Sequence, residues 1–129
     1  MKSKTVGITY WILIIFFAAL MLADGIAGVM REIHGQEGLK HLGYPVYLMT
    51  IVGIAKILGV IAILQTKYTT IKEWAFAGFT FNFIGASMSH YFAGDDIGMV
   101  LMPVVGLAIL FLVYFFWKRF EQVNALKVA

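Results

Sequence analysis

The sequence predicts an all-α integral membrane protein, an antiparallel bundle of four transmembrane helices with both termini cytoplasmic. Three observations carry this. The chain of 129 residues is 61% hydrophobic and only 13% charged, where a soluble domain carries about 25% charge. Its mean hydropathy is +0.87, more apolar surface than a sphere of this size can hide from water. The few charges stand in clusters and leave long uncharged runs between them. The length is that of one domain, 1–129.

The elements follow in order. Between Lys4 and Asp24 lie 19 uncharged residues, and span 1 is placed at 6–28. Its basic start resembles a secretory signal, but the apolar run is longer than such a segment needs and no A-x-A pattern precedes a plausible cut, so it is expected to stay. Residues 29–43 form a longer polar loop with two His and three Gly, the one connection with room for a short surface helix. Span 2, 44–64, is apolar apart from Lys56. Span 3, 74–93, falls within the 21 uncharged residues between Glu73 and Asp95, and span 4, 98–117, within the 21 between Asp96 and Lys118. Each run is about 28–32 Å long at ~1.5 Å per residue, which matches a hydrocarbon core of ~30 Å. The runs are too long for single strands, lack alternation, and are too few to close a barrel. The connections 65–73 and 94–97 are short and make their neighbours antiparallel.

Orientation follows from Lys and Arg. Lys2, Lys4, Lys67, Lys72, Lys118, Arg119 and Lys127 collect on one side, Arg31 and Lys40 on the other. The richer side is cytoplasmic, as expected of a multi-pass protein of a bacterial inner membrane. Tyr10, Trp11, Tyr68, Trp74 and Trp117 are expected at the inner interface, and Tyr44, Tyr47 and Tyr91 at the outer.

Ionisable groups in lipid cost roughly 2.5–3.5 kcal/mol each on insertion scales, so each needs a partner or a cavity. The chain places Asp24 in span 1, Lys56 in span 2, and Asn82, Ser87, Ser89 and His90 in span 3. Counted from the span ends at ~1.5 Å per residue, Lys56 and Asn82 lie at similar depth, and Asp24 and His90 are shallower. Gly53, Lys56 and Gly59 share one face of span 2. Gly78, Asn82, Gly85, Ala86, Ser89 and His90 form a small and polar stripe on span 3. Ala19, Ala23 and Ala27 offer span 1 a small-residue seam. Phe76, Phe79, Phe81 and Phe83 are left for other faces. Spans 1–3 are thus expected to meet around Lys56, His90, Asn82 and Asp24, the candidate ligand-binding set, with span 4 (Pro103, Gly106) in support. The structural alternative is that Lys56 only pairs with Asp24 or Asn82, and that His90 bonds a loop at the interface. Asp95 and Asp96 read as a solvated turn with Asp95 capping span 4, and His34 and His41 as solvated loop residues.

Inventory excludes much chemistry. There is no cysteine, hence no disulfide, iron–sulfur cluster or thiolate metal site. His90 alone lies in a span, too few for bis-His haem. No His/Glu pair has metal-ligand spacing, there is no phosphate-binding Gly loop, and no Ser has an assembled base. No catalytic residue is assigned, and the chain is not expected to be an enzyme on its own. The small net charge of +3 gives no nucleic-acid signal.

Leu42-Gly43-Tyr44-Pro45-Val46-Tyr47 followed by Gly53-Ile54-Ala55-Lys56-Ile57-Leu58-Gly59 resembles the second-span signature of the DoxX-like membrane proteins. Ile71-Lys72-Glu73-Trp74-Ala75-Phe76-Ala77-Gly78-Phe79 and Ser89-His90-Tyr91-Phe92-Ala93-Gly94-Asp95 resemble that family's third-span signature. The resemblance covers nearly the whole chain and implies a small four-helix membrane protein of largely uncharacterised activity. The wider group is named from a subunit of a respiratory quinone-linked oxidoreductase, with other members linked to oxidative-stress complexes or membrane-protein assembly. With the polar residues above, this gives the expectation of an accessory or small-molecule-binding subunit, with a quinone as one candidate ligand, whose Lys56 and His90 donate to a polar head in a pocket between spans 1–3. Its partners would be the bilayer and a second copy or a larger membrane complex. Two alternatives stand beside it. One is a small proton-coupled dimeric transporter built on Asp24, which lies shallower than transporter sites usually do. The other is a purely structural or assembly protein.

Overall fold

A segment that enters hydrocarbon must satisfy its backbone N–H and C=O groups internally, which for a short chain means α-helix. The computed structural model describes residues 2–128, with side chains through Leu126, so the Lys127 side chain lies outside it. Five helices follow in order: α1 (Ser3–Val29), α2 (Ile33–His41), α3 (Tyr47–Leu64), α4 (Thr69–Phe92) and α5 (Ile97–Val128). No strand occurs among the described residues. α1, α3 and α5 are long and apolar enough to cross a membrane. α4 has 24 residues, but its Thr, Ser, Asn and His content leaves it less apolar than those three. α5 continues well past residue 117, and α2 is the short helix for which the first loop has room.

The helix ends have local causes. α1, α2 and α4 each finish in the same double-bonded turn, with a left-handed residue just past the cap. That residue is Gly43 after α2 and Gly94 after α4, at φ 86° and 79°. After α1 it is Arg31, at φ 52°, whose N–H donates to the Gly28 carbonyl while Glu32 N–H donates to that of Ala27. The α3–α4 turn is organised by Gln65, whose Oε1 accepts from the Lys67 and Tyr68 amides at 2.9 and 2.7 Å. α5 is capped by Asp96, which accepts from Met99 N–H at 3.0 Å. The expected cap, Asp95, is instead engaged by two histidines.

α1 packs against α3 and α5, α4 packs against α3 and α5, and α2 touches α3. One buried cluster joins the four long helices: Tyr10, Ile14 and Phe17 of α1, Ile63 of α3, Phe76 and Phe79 of α4, and Leu110, Val113 and Trp117 of α5. These residues come from the first part of α1 and α4 and the later part of α3 and α5. The core therefore fills one end of the molecule, where Phe76 stacks on Trp117 at 5.3 Å and Phe17 meets Phe79 edge-on at the same distance. The opposite faces of these helices expose large apolar side chains such as Ile12, Phe16, Leu58 and Phe81, an arrangement that requires lipid around it. The chain is a multi-pass membrane protein.

Two packing expectations are corrected. The close α1–α3 seam is not Ala19, Ala23 and Ala27, the first two of which are exposed. It is Gly25 and Gly28 against Gly53: a Cβ on Gly53 would stand 2.7 Å from the Gly25 carbonyl and 2.9 Å from the Val29 amide nitrogen. On α4 the inward face belongs to Phe76 and Phe79. Phe79 lies over Gly59, and Phe83 over Gly106.

Candidate functional site

The glycine contact sets the site. Because α1 and α3 touch backbone to backbone at Gly25 and Gly53, Asp24 next to the first and Lys56 one turn past the second are carried into reach. The Lys56 ammonium donates to the Asp24 carboxylate. The Lys56 side chain is 16% exposed and that of Asp24 57%, so the cation is the more enclosed partner. Above the aromatic core the helices leave a cavity of about 440 Å³. Asp24, Lys56 and Asn82 all line it. Among the described residues the Asn82 amide makes no hydrogen bond, so its donors and acceptor are available.

α2 and its flanks form the roof through Gly35, Leu39 and Leu42. Four polar ties hold this segment. Glu32 caps α2, its carboxylate accepting from the His34 and Gly35 amides at 3.0 and 2.9 Å. Those backbone donors hold its carboxyl below the ordinary range. Arg31 Nε donates to Thr50 Oγ1 of α3 at 3.1 Å. Tyr44 bonds Ser89 at 2.6 Å. The Ser89 proton already serves the Gly85 carbonyl, so the tyrosine is the donor. Finally, Asp95 accepts from His90 Nδ1 at 2.7 Å and from His41 Nε2 at 2.5 Å, which ties the last residue of α2 to the α4–α5 turn. Hydrogen bonds first from His90 and then from His41 lower the Asp95 pKa from its ordinary 3.8. An ionised carboxylate only accepts, so both rings donate through the named nitrogens.

Three of the four candidate residues therefore share one cavity. His90 does not line it: its ring turns to Asp95 at the rim. Sequence spacing does not mark Asp95 as the hub of two histidines or His41 as a roof contact, and it marks Tyr44 and Ser89 only as an interfacial aromatic and part of a polar stripe. A second, open groove of about 690 Å³ runs between α3 and α4 on the outer surface. Val52, Lys56, Phe81 and Asn82 line both groove and cavity. The arrangement offers a charged pair and a free amide at the inner end of an apolar crevice. It suits hydrogen bonding to a carbonyl or hydroxyl, with no nucleophile and base assembled.

Residues 12–113 match the model of the DoxX-like family. The chain belongs to the DoxX-like family. The match takes in α2, α3 and α4 whole, most of α1 and the first half of α5, so every residue lining the 440 Å³ cavity of this DoxX-like chain lies inside it. No curated protein and no solved structure matches the chain.

Proposed function

We propose that this DoxX-like protein is an accessory membrane subunit that binds a lipid-soluble small molecule with a carbonyl- or hydroxyl-bearing head. In this reading the four long helices form an antiparallel transmembrane bundle in a bacterial inner membrane, with both termini and the α3–α4 turn cytoplasmic. The Lys and Arg distribution supports that orientation. The observation that carries the binding reading is the shared lining of cavity and groove at Val52, Lys56, Phe81 and Asn82. A head group would take donors from Lys56 and Asn82 while an apolar tail lies in the crevice facing lipid. His90 acts on this site through Asp95 and the roof.

A quinone fits that donor set, since its carbonyls accept and its tail is apolar. When bound it would supply redox chemistry; the chain's own residues position the head and exclude water. The test is mass spectrometry of lipids that co-purify with wild type, Lys56→Met and Asn82→Leu. Quinone enriched with wild type and lost from both variants is expected. Identical extracts without quinone from all three overturn the reading.

A structural role is favoured by one observation, the direct Lys56–Asp24 pair, and it predicts variants that change yield and never a ligand. The transporter reading has less support, because the aromatic core fills the bundle beneath the pair. Substrate-driven proton uptake in proteoliposomes, lost in Asp24→Asn, would restore it.

A further inference from the structure

The Lys56–Asp24 pair leaves hydrogen-bonding capacity unused on both partners. Lys56 Nζ donates to Oδ2 of Asp24, and among the described residues the other carboxylate oxygen, Oδ1, accepts no hydrogen bond. The Asp24 side chain is 57% exposed, and it lines the cavity under α2. Asp24 also lies in the last turns of a helix long and apolar enough to cross a membrane, where an ionised group needs partners. A carboxylate only accepts, and it has about four lone-pair sites. What Asp24 lacks is therefore a donor.

The other polar groups of the wall are already committed. Both oxygens of Glu32 accept backbone amides of α2. The Tyr44 proton serves Ser89, and the Ser89 proton serves the Gly85 carbonyl. The space is left with an acceptor on Asp24, the remaining ammonium protons of Lys56 and the Asn82 amide. Because Lys56 and Asp24 touch, donor and acceptor face the ligand side by side. A cationic head is repelled by Lys56 and an anionic head by Asp24. A neutral hydroxyl meets both, since its one oxygen donates and accepts. A carbonyl oxygen serves Lys56 and Asn82 but leaves Asp24 unmatched. The rest of the wall is apolar, with Leu39, Leu48, Met49, Val52 and Phe81, and a volume of about 440 Å³ has room for a ring.

We infer that this cavity selects a hydroxyl-bearing head over a carbonyl-bearing one, with Asp24 accepting the hydroxyl proton and Lys56 donating to the same oxygen. The inference rests on the binding reading above and narrows its ligand to a neutral amphiphile of the phenol or alcohol class. For a quinone couple it selects the reduced form. A site whose polar groups are matched by a ligand hydroxyl rejects the analogue that lacks it, and a bond to a charged acceptor is about twice as strong as one to a neutral acceptor.

The experiment titrates purified protein in dodecyl maltoside with three probes of equal tail length. They are 4-octylphenol, 4-octylanisole, in which a methyl replaces the hydroxyl proton, and 4-octylacetophenone, which presents a carbonyl. Affinity, as mole fraction in the micelle, is read from the rise of the unfolding midpoint. Wild type should bind the phenol at least about tenfold more tightly than either other probe. Asp24→Asn should shrink that preference to within about threefold. Equal affinity for all three, or a preference for the carbonyl, overturns the inference and leaves the binding reading standing. No binding of any probe overturns both. A phenol preference that Asp24→Asn keeps in full overturns the role of Asp24. Should Asp24→Asn fail to fold, Asn82→Ala decides: a preference kept without the uncharged acceptor supports Asp24, and one lost there overturns it.

Discussion

Lys56 and Lys72 lie one helix apart in the same apolar chain, and their surroundings treat the charge differently. Lys56 meets a carboxylate; Lys72 meets two rings and a hydroxyl. Removing Lys56 as Lys56→Met leaves Asp24, which is the more exposed partner. Removing Asp24 as Asp24→Leu strands the enclosed ammonium. Asp24→Leu should therefore lower stability in detergent by about 1–3 kcal/mol more than Lys56→Met does; equal losses in paired thermal unfolding curves would contradict this. Asp95 carries the pH dependence. Its folded pKa lies below the unfolded value, so its contribution is complete above pH 3.8 and is lost as pH falls through the lower folded value. Asp95→Asn should flatten the acid limb of a stability–pH profile below about pH 4. The sequence narrows the partner of Lys56 to Asp24 or Asn82, because an intramembrane cation has few candidates, and only the packing of α1 on α3 selects Asp24. The burial of Lys72 was not legible, since a lysine just before an apolar run reads as a cytoplasmic charge that snorkels.

At the scale of elements, the α1–α3 seam separates glycines that are required from those that are not. Gly53→Ala would push a methyl against the Gly25 carbonyl and the Val29 amide. Backbone cannot rotate away, so the helices must part, at about 1–3 kcal/mol. Gly78 has nothing within 4 Å of a built Cβ, and Gly78→Ala should instead gain about 0.5–1 kcal/mol from helix propensity. Chemical denaturation of the two variants checks the sign of each. The sequence offered only Ala19, Ala23 and Ala27 as the seam of span 1, because a periodic small-residue pattern does not show that Gly25 and Gly28 on another face make the backbone contact. Similarly, Phe76, Phe79, Phe81 and Phe83 are one residue type on several faces of one helix, and only tertiary packing selects the buried ones. α2 is the element tied most loosely, by polar bonds at its ends. With no native cysteine, a nitroxide on Glu37→Cys reports on it alone. Its mobility should rise as the pH falls below 3.8, through the lowered folded pKa values of Asp95 and Glu32, and should rise at neutral pH when Asp95→Asn is added. A spectrum unchanged in both conditions would mean that these carboxylates do not hold the roof.

At the scale of the whole molecule, packing and polarity are divided between the two ends. Aromatic core fills the end that holds the chain start and the α3–α4 turn, while cavity and polar roof occupy the other. The charge clusters made the number and order of the long helices legible. They could not show this division, which depends on which face of each helix turns inward. The division also bears on α4, the least apolar of the long helices. Much of its polarity is satisfied within the fold: Thr80 donates to the Phe76 carbonyl, Ser87 to that of Val100, Ser89 to that of Gly85, and His90 to Asp95. Polar groups already bonded add little to the cost of a span. Between Glu73 and Asp95 that leaves Asn82 as the main unbonded side chain, and it faces the cavity. α4 should therefore cross the bilayer despite its composition. Single cysteines at Glu37, Lys67, Ala93 and Asn124, probed with a membrane-impermeant thiol reagent in intact and opened cells, test the whole topology. Positions 37 and 93 should react from outside, and 67 and 124 only after opening. If α4 failed to cross, positions 67 and 93 would react from the same side, and the four-span arrangement would fall with it.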